Sequence, residues 1–130
     1  MFGAPSRYGM SNKSYRDIEI AARVEGASPH GLVMMLFDEL LKSFDTLRAA
    51  ERNGEGHRQG GVQARAVSIL HGLEDGLDHG RGGDIAGTLG RVYREARRLL
   101  VTPHGGDRLP ALDRARTMMA DIAGAWGAIG

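Results

Sequence analysis

Cysteine is absent from the 130-residue chain, which excludes disulfide frameworks, thiolate zinc sites, iron–sulfur clusters and a cysteine nucleophile. An excess of either charge is also missing: seventeen Lys and Arg face sixteen Asp and Glu, for a net charge of +1. A dedicated nucleic-acid binder is normally more basic, and a membrane-surface protein carries a denser Lys/Arg field. Long apolar runs are lacking too. The longest, Leu32 to Phe37, has six residues, against roughly 20 for a membrane span. Met1 to Ser14 is small and polar, without the charged-then-apolar layout of a signal peptide. The expectations are a cytoplasmic protein with no membrane insertion and no nucleic-acid partner.

What is present is an ordinary globular composition, 42% apolar and 25% charged, in a length that fits one domain with a self-sufficient core. Residues 1–14 hold Gly, Ser, Pro and Asn without apolar periodicity and read as a mobile N-terminal arm, leaving 15–130 as a single helical domain. Ser14-Tyr15-Arg16-Asp17 is a helix-start signal, and Ile18, Ala21, Ala22 and Val24 suggest a short leading helix. Ser28-Pro29 marks a second start, because serine caps orphan N–H groups and proline at the first helical position loses no bond. That helix is expected to run from Pro29 to about Arg52 and stop at Asn53-Gly54.

Three further apolar stripes recur at steps of three and four: Val62 to Leu77, Ile85 to Leu100, and Leu112 to Ile129. The breakers between them are residues 79–83 and 102–106, with Asp84 and Asp107 where N-caps are wanted. No stretch alternates long enough to be a strand. The expected fold is all-α, an antiparallel up-down four-helix bundle with a short additional N-terminal helix.

On the helix from Pro29, Val33, Leu36, Phe37, Leu40, Phe44 and Leu47 share one core-sized face. Met34 and Leu41 fall on the far side beside Asp38 and Asp45, and Met35 on another flank. They are either core of a centrally placed helix or an apolar groove for a partner, a use to which the adaptable methionine thioether is suited. Twenty glycines are roughly twice ordinary usage. Gly72, Gly76, Gly87, Gly90, Gly124 and Gly127 fall inside expected helices, from compositional drift, close packing or a bundle whose helices shift. Arg91, Arg94 and Arg98 form a stripe that is either a solvated face or a contact for an acidic partner, without aromatics for base stacking.

Chemistry lacks its parts. No phosphate loop, H-E-x-x-H or di-iron Glu-x-x-His pair occurs. His71, Asp75 and His79 recur every fourth residue, but no matching ligand pair stands on another helix. Ser28 is explained by capping. Neither a catalytic residue, a metal nor a cofactor is expected, and the chain is not read as an enzyme.

Tyr15-x8-Val24-x2-Ala27-Ser28-Pro29-x2-Leu32-Val33-x-Met35-Leu36-Phe37-Asp38 resembles the flagellin export chaperones, the FliS family, with their V-x-x-A-S-P-x-x-L-x-x-x-L-Y-x-G-like stretch. Gly82-Gly83-Asp84-Ile85-Ala86-x2-Leu89-x2-Val92-Tyr93 is similar to a second family stretch, G-G-x-I-A-x-N-L-x-x-L-Y. The resemblance implies a chaperone that binds the disordered C-terminal segment of flagellin in apolar grooves. It would prevent premature polymerisation and deliver the client to the flagellar type III export gate. On this basis the client groove is expected at Val24, Leu32, Met34, Met35, Leu41 and Val67, and the arm or gate contact at Tyr15 and Ile18. A co-chaperone is a further possible partner, and the chain itself is expected as a monomer or weak homodimer. The rival reading is a helical adaptor that uses Arg91, Arg94 and Arg98 on an acidic protein or nucleic acid.

Overall fold

The computed structural model describes residues 28–101 and 106–129. The expected arm and leading helix, with Tyr15, Ile18 and Val24, lie outside them. Two compact units are distinguished, Met1–Leu32 and Val33–Gly130, with the division inside the first described helix. In the first unit Ser28 caps as its sequence suggests: its Oγ accepts from the Gly31 N–H at 3.1 Å and its carbonyl from the Leu32 N–H at 2.8 Å.

Four long helices are present among the described residues, α1 (Pro29–Arg52), α2 (Gly60–Asp75), α3 (His79–Val101) and α4 (Leu109–Ile129), with a 3₁₀ turn at Gly56–Arg58. No strand occurs among the described residues. The fold is an all-α helical bundle. α1 stops where Asn53-Gly54 predicts: Gly54 takes φ 73°, and the N–H groups of Gly54 and Glu55 donate back to the Glu51 and Ala50 carbonyls. This is the left-handed glycine stop that satisfies the last helical carbonyls.

The core is built from the predicted faces. Phe37, Leu40, Phe44 and Leu47 of α1 meet Leu70 and Leu73 of α2, Tyr93 and Leu100 of α3, and Leu112 and Met119 of α4. All are buried, each contributing on the order of 1.5–3 kcal/mol relative to exposure. Two stripe members depart from expectation. Ile85 is 71% exposed and Ile129 is 73% exposed, because each stands where its helix begins or ends at the rim of the bundle and runs out of neighbours.

The joint between α2 and α3 also differs from expectation. Residues 79–83 are not a plain loop, since His79 to Gly82 is helical and the break falls at Gly83, with φ 51° and ψ −126°. Glu74 reaches Arg94 and Arg97, and Gly90 lies against Leu77. Contacts on the two limbs thus close in on Gly83, which is where the chain reverses. The capping carboxylate is Asp78, which accepts from the Arg81 N–H at 3.0 Å, rather than Asp84. Gly76 likewise is not inside a helix but ends α2. Asp107 does cap, accepting from the Leu109 N–H at 2.9 Å.

Candidate functional site

Three contacts set the register of α1 against α4. Arg48 Nε donates to Asp113 Oδ1 at 2.5 Å, and Arg116 Nε donates to Asp45 Oδ1 at 2.6 Å. The Met34 methyl lies 3.5 Å from where a Cβ on Gly127 would stand. Each step forward on α1 is matched by an equal step back on α4, so the helices are antiparallel. The same register places Leu41 level with Ala120, and Asp38 level with Ala123 and Gly124.

This explains the residues that exceeded the simple core face. Met34, Leu41, Asp38 and Asp45 recur on one flank of α1, and that flank is its seam with α4. Leu41 is half-buried and packs against the core. Met34 is half-buried over Gly127. Beside them, a Cβ on Gly124 would meet nothing within 4 Å, which leaves open space along the seam. From Thr117 to the end of the sequence, Asp121 is the one ionisable side chain. The result is a largely apolar, glycine-lined half-seam, with the exposed carboxylate of Asp38 at its edge, joined to a half laced by ion pairs.

The other expected groove residues do not join this strip. Met35 is half-buried and stands one turn before Glu39, whose carboxylate accepts from Arg65 of α2 at 3.2 Å; Met35 is therefore on the α2 side of α1. Val67 packs against the core and precedes Glu74 by two turns, on the α2 flank that meets α3. Leu32 is half-buried in the first turn of α1.

The arginine stripe is largely occupied. Arg94 donates to Glu74 Oε2 and Arg97 to Glu74 Oε1, both at 2.6 Å. Arg98 forms a bidentate pair with Glu95 at 2.8 and 2.7 Å, and Arg91 donates to Thr88 Oγ1 at 3.1 Å. Hydrogen bonds from Arg97 and then Arg94 hold the Glu74 carboxyl below its ordinary range, as Arg98 does for Glu95. Of the three charges that suggested an acidic partner, Arg94 and Arg98 thus meet carboxylates of the same chain and Arg91 meets a hydroxyl. His71, Asp75 and His79 are exposed, and no cluster of ligating side chains fit for a metal is found among the described residues.

Arg108 carries no sequence signal. Its Nη2 donates to the Leu100 carbonyl at 2.7 Å and to Gln63 Oε1 at 3.1 Å, while its backbone N–H donates to Glu51 Oε2 at 3.3 Å. One residue thereby ties all four helices at one end. Finding it needed the three-dimensional register; in the sequence it is one arginine among many, two residues before Pro110.

Among the described residues no helix is long and apolar enough to cross a membrane. The fold described above is an all-α helical bundle. The particular family follows from comparison. The family model for the flagellar protein FliS matches residues 10–130, and the chain belongs to that family. It is 29% identical over 117 residues to the flagellar secretion chaperone FliSB of Pseudomonas aeruginosa, covering 90% of this chain and 93% of that protein. It is 30% identical over 115 residues to the flagellar secretion chaperone FliS of Salmonella typhimurium, covering 88% of this chain and 85% of that one. The family is one of flagellar secretion chaperones rather than of enzymes.

Proposed function

We propose that this chain is a cytoplasmic chaperone that binds the disordered C-terminal segment of flagellin, holds it from polymerising and hands it to the flagellar export gate. The observation that carries this reading is the apolar half-seam of Met34, Leu41, Ala120, Gly124 and Gly127 on a bundle of this family. A disordered client folds as it binds, and only a continuous apolar track offsets the entropy it loses. Glycines that leave the backbone bare let a client helix approach closely. Tyr15, Ile18 and Val24 are assigned to the arm and groove by resemblance, with the gate and a co-chaperone as further partners.

The test is isothermal titration of the full chain with the C-terminal segment of its own organism's flagellin at two salt concentrations. The expected outcome is near 1:1 binding with a large negative heat-capacity change and little salt dependence. Met34→Asp and Leu41→Asp each weaken binding by about tenfold or more, because a carboxylate buried against an apolar client without a partner costs several kcal/mol. Helical circular dichroism is retained. Absence of binding by the parent chain, or undiminished affinity of both variants, overturns the reading.

A further inference from the structure

Helix α1 carries four carboxylates, Asp38, Glu39, Asp45 and Glu51, and all but Asp38 are engaged by the bundle itself. Glu39 accepts from Arg65 at 3.2 Å and lies 3.7 Å from the Lys42 Nζ. Asp45 meets Arg116 at 2.6 Å and Arg48 at 3.5 Å, and Glu51 accepts from the Arg108 N–H. Asp38 is exposed and, among the described residues, meets no cation. It stands two turns before Asp45 on the same seam of α1. Opposite Asp45, α4 supplies Arg116; opposite Asp38 the register brings Ala123 and Gly124. From Thr117 to the end of the sequence there is no Lys, Arg or His. Lys42, one turn past Asp38, is turned to Glu39. Neither helix of the seam brings a cation to this charge.

The surroundings of Asp38 are apolar. Met34 stands one turn before it and Leu41 one turn after, both half-buried. A Cβ on Gly124 would meet nothing within 4 Å, so a helix laid along the strip approaches closely and covers the carboxylate at its edge. Covering that charge without a partner would weaken binding. The strip from Met34 to Leu41 is about 10 Å long, two turns of helix, with Asp38 at its middle. The positive N-terminal end of a seated helix therefore falls a turn away, and a side chain has to meet the charge. We propose that Asp38 selects a client helix bearing Lys or Arg at the edge of its apolar stripe, with apolar residues one turn before and one turn after the cation. This rests on the chaperone reading above. The aliphatic stem of such a residue lies over Met34 or Leu41 while its head reaches Asp38. The same carboxylate rejects client segments that place Asp or Glu there.

The test titrates the full chain and its Asp38→Asn variant with the C-terminal segment of its own organism's flagellin, and with versions of that segment in which each Lys and Arg in turn is replaced by Gln. Asp38 makes no link within the fold, so its variants are expected to keep the helical circular dichroism of the parent. At one basic position of the client, the replacement is expected to weaken binding to the parent chain by about three- to fivefold, and to Asp38→Asn by less than about 1.5-fold. Asp38→Lys is expected to weaken binding of the unaltered segment by about tenfold, and Glu at that client position to restore most of the loss. Asp121 is the control, an exposed carboxylate one residue past Ala120 and so rotated off the seam; Asp121→Lys changes affinity by less than about twofold. Tight binding in which no Lys or Arg of the client is coupled to Asp38 overturns the selection by charge and leaves the chaperone reading standing. Equal losses from Asp38→Lys and Asp121→Lys mean attraction to overall charge and overturn it too. Failure of the parent chain to bind the segment overturns the chaperone reading and, with it, the role of Asp38.

Discussion

The two halves of the α1–α4 seam are built from the same pair of helices yet held by different physics. Near Asp45 and Arg48 the helices are joined by directional links that specify one register. Near Met34 they meet through a thioether over a glycine. Exposed ion pairs add little to stability, typically below 1 kcal/mol each, so the difference is one of specification more than of strength. Charged pairs fix where the helices sit; apolar contact over glycine leaves the sitting adjustable. A chaperone needs both, a bundle that keeps its identity and a surface that accommodates a folding client.

The sharpest way to break that comparison is to remove apolar bulk from each face of α1. Phe44 is fully buried and Met34 is half-buried one flank away. Phe44→Ala is expected to cost about 3–5 kcal/mol through lost transfer energy and the cavity left behind. Met34→Ala is expected to cost about 1 kcal/mol, since much of its surface is already wet. Chemical denaturation of both variants measures this. Equal losses would mean that Met34 is core and that the seam has no adjustable half.

A second contrast sets the α2–α3 clasp against the α1–α4 seam. Glu74 accepts from both Arg97 and Arg94, and those bonds hold its carboxyl more acidic in the folded chain than its ordinary value of 4.5. The unfolded chain therefore binds the proton first, and the clasp's contribution is complete above that value and lost as pH falls through the lower folded one. Stability at pH 7 should exceed that at pH 3, and Glu74→Gln should lower the former while flattening the slope between them. Denaturation curves at the two pH values decide it; an unchanged slope removes Glu74 as a determinant.

Much of this architecture is legible in the residues. The face Phe37-Leu40-Phe44-Leu47, the Ser28-Pro29 start and the Gly54 stop are local signals, and local signals survive into the fold because they act within one or two turns. The unusual placement of Met34 and Leu41 was also visible, as apolar residues off the core face. That their flank is the seam with α4 was not, because the pairing of Asp45 with Arg116 spans 71 residues and depends on a register that no short pattern encodes. For the same reason Met34, Met35 and Val67 read as one groove when they stand on three seams. The helical turn at His79 to Gly82 was obscured by its glycines, whose low propensity is overruled by the Asp78 cap and the position of Gly83 at the reversal.

The glycines offer the finest probe, because two of them sit in helices for opposite reasons. At Gly90 an added Cβ would stand 3.3 Å from Arg94 Nη1 and 3.5 Å from Leu77, and that arginine is already committed to Glu74. At Gly124 it would meet nothing within 4 Å. Gly124→Ala is therefore expected to stabilise the chain by about 0.5–1 kcal/mol, through restriction of the unfolded chain and better helix propensity. Gly90→Ala is expected to gain nothing, because crowding against the Arg94–Glu74 pair cancels the same benefit. Thermal unfolding of the two variants side by side reads the difference as a few degrees.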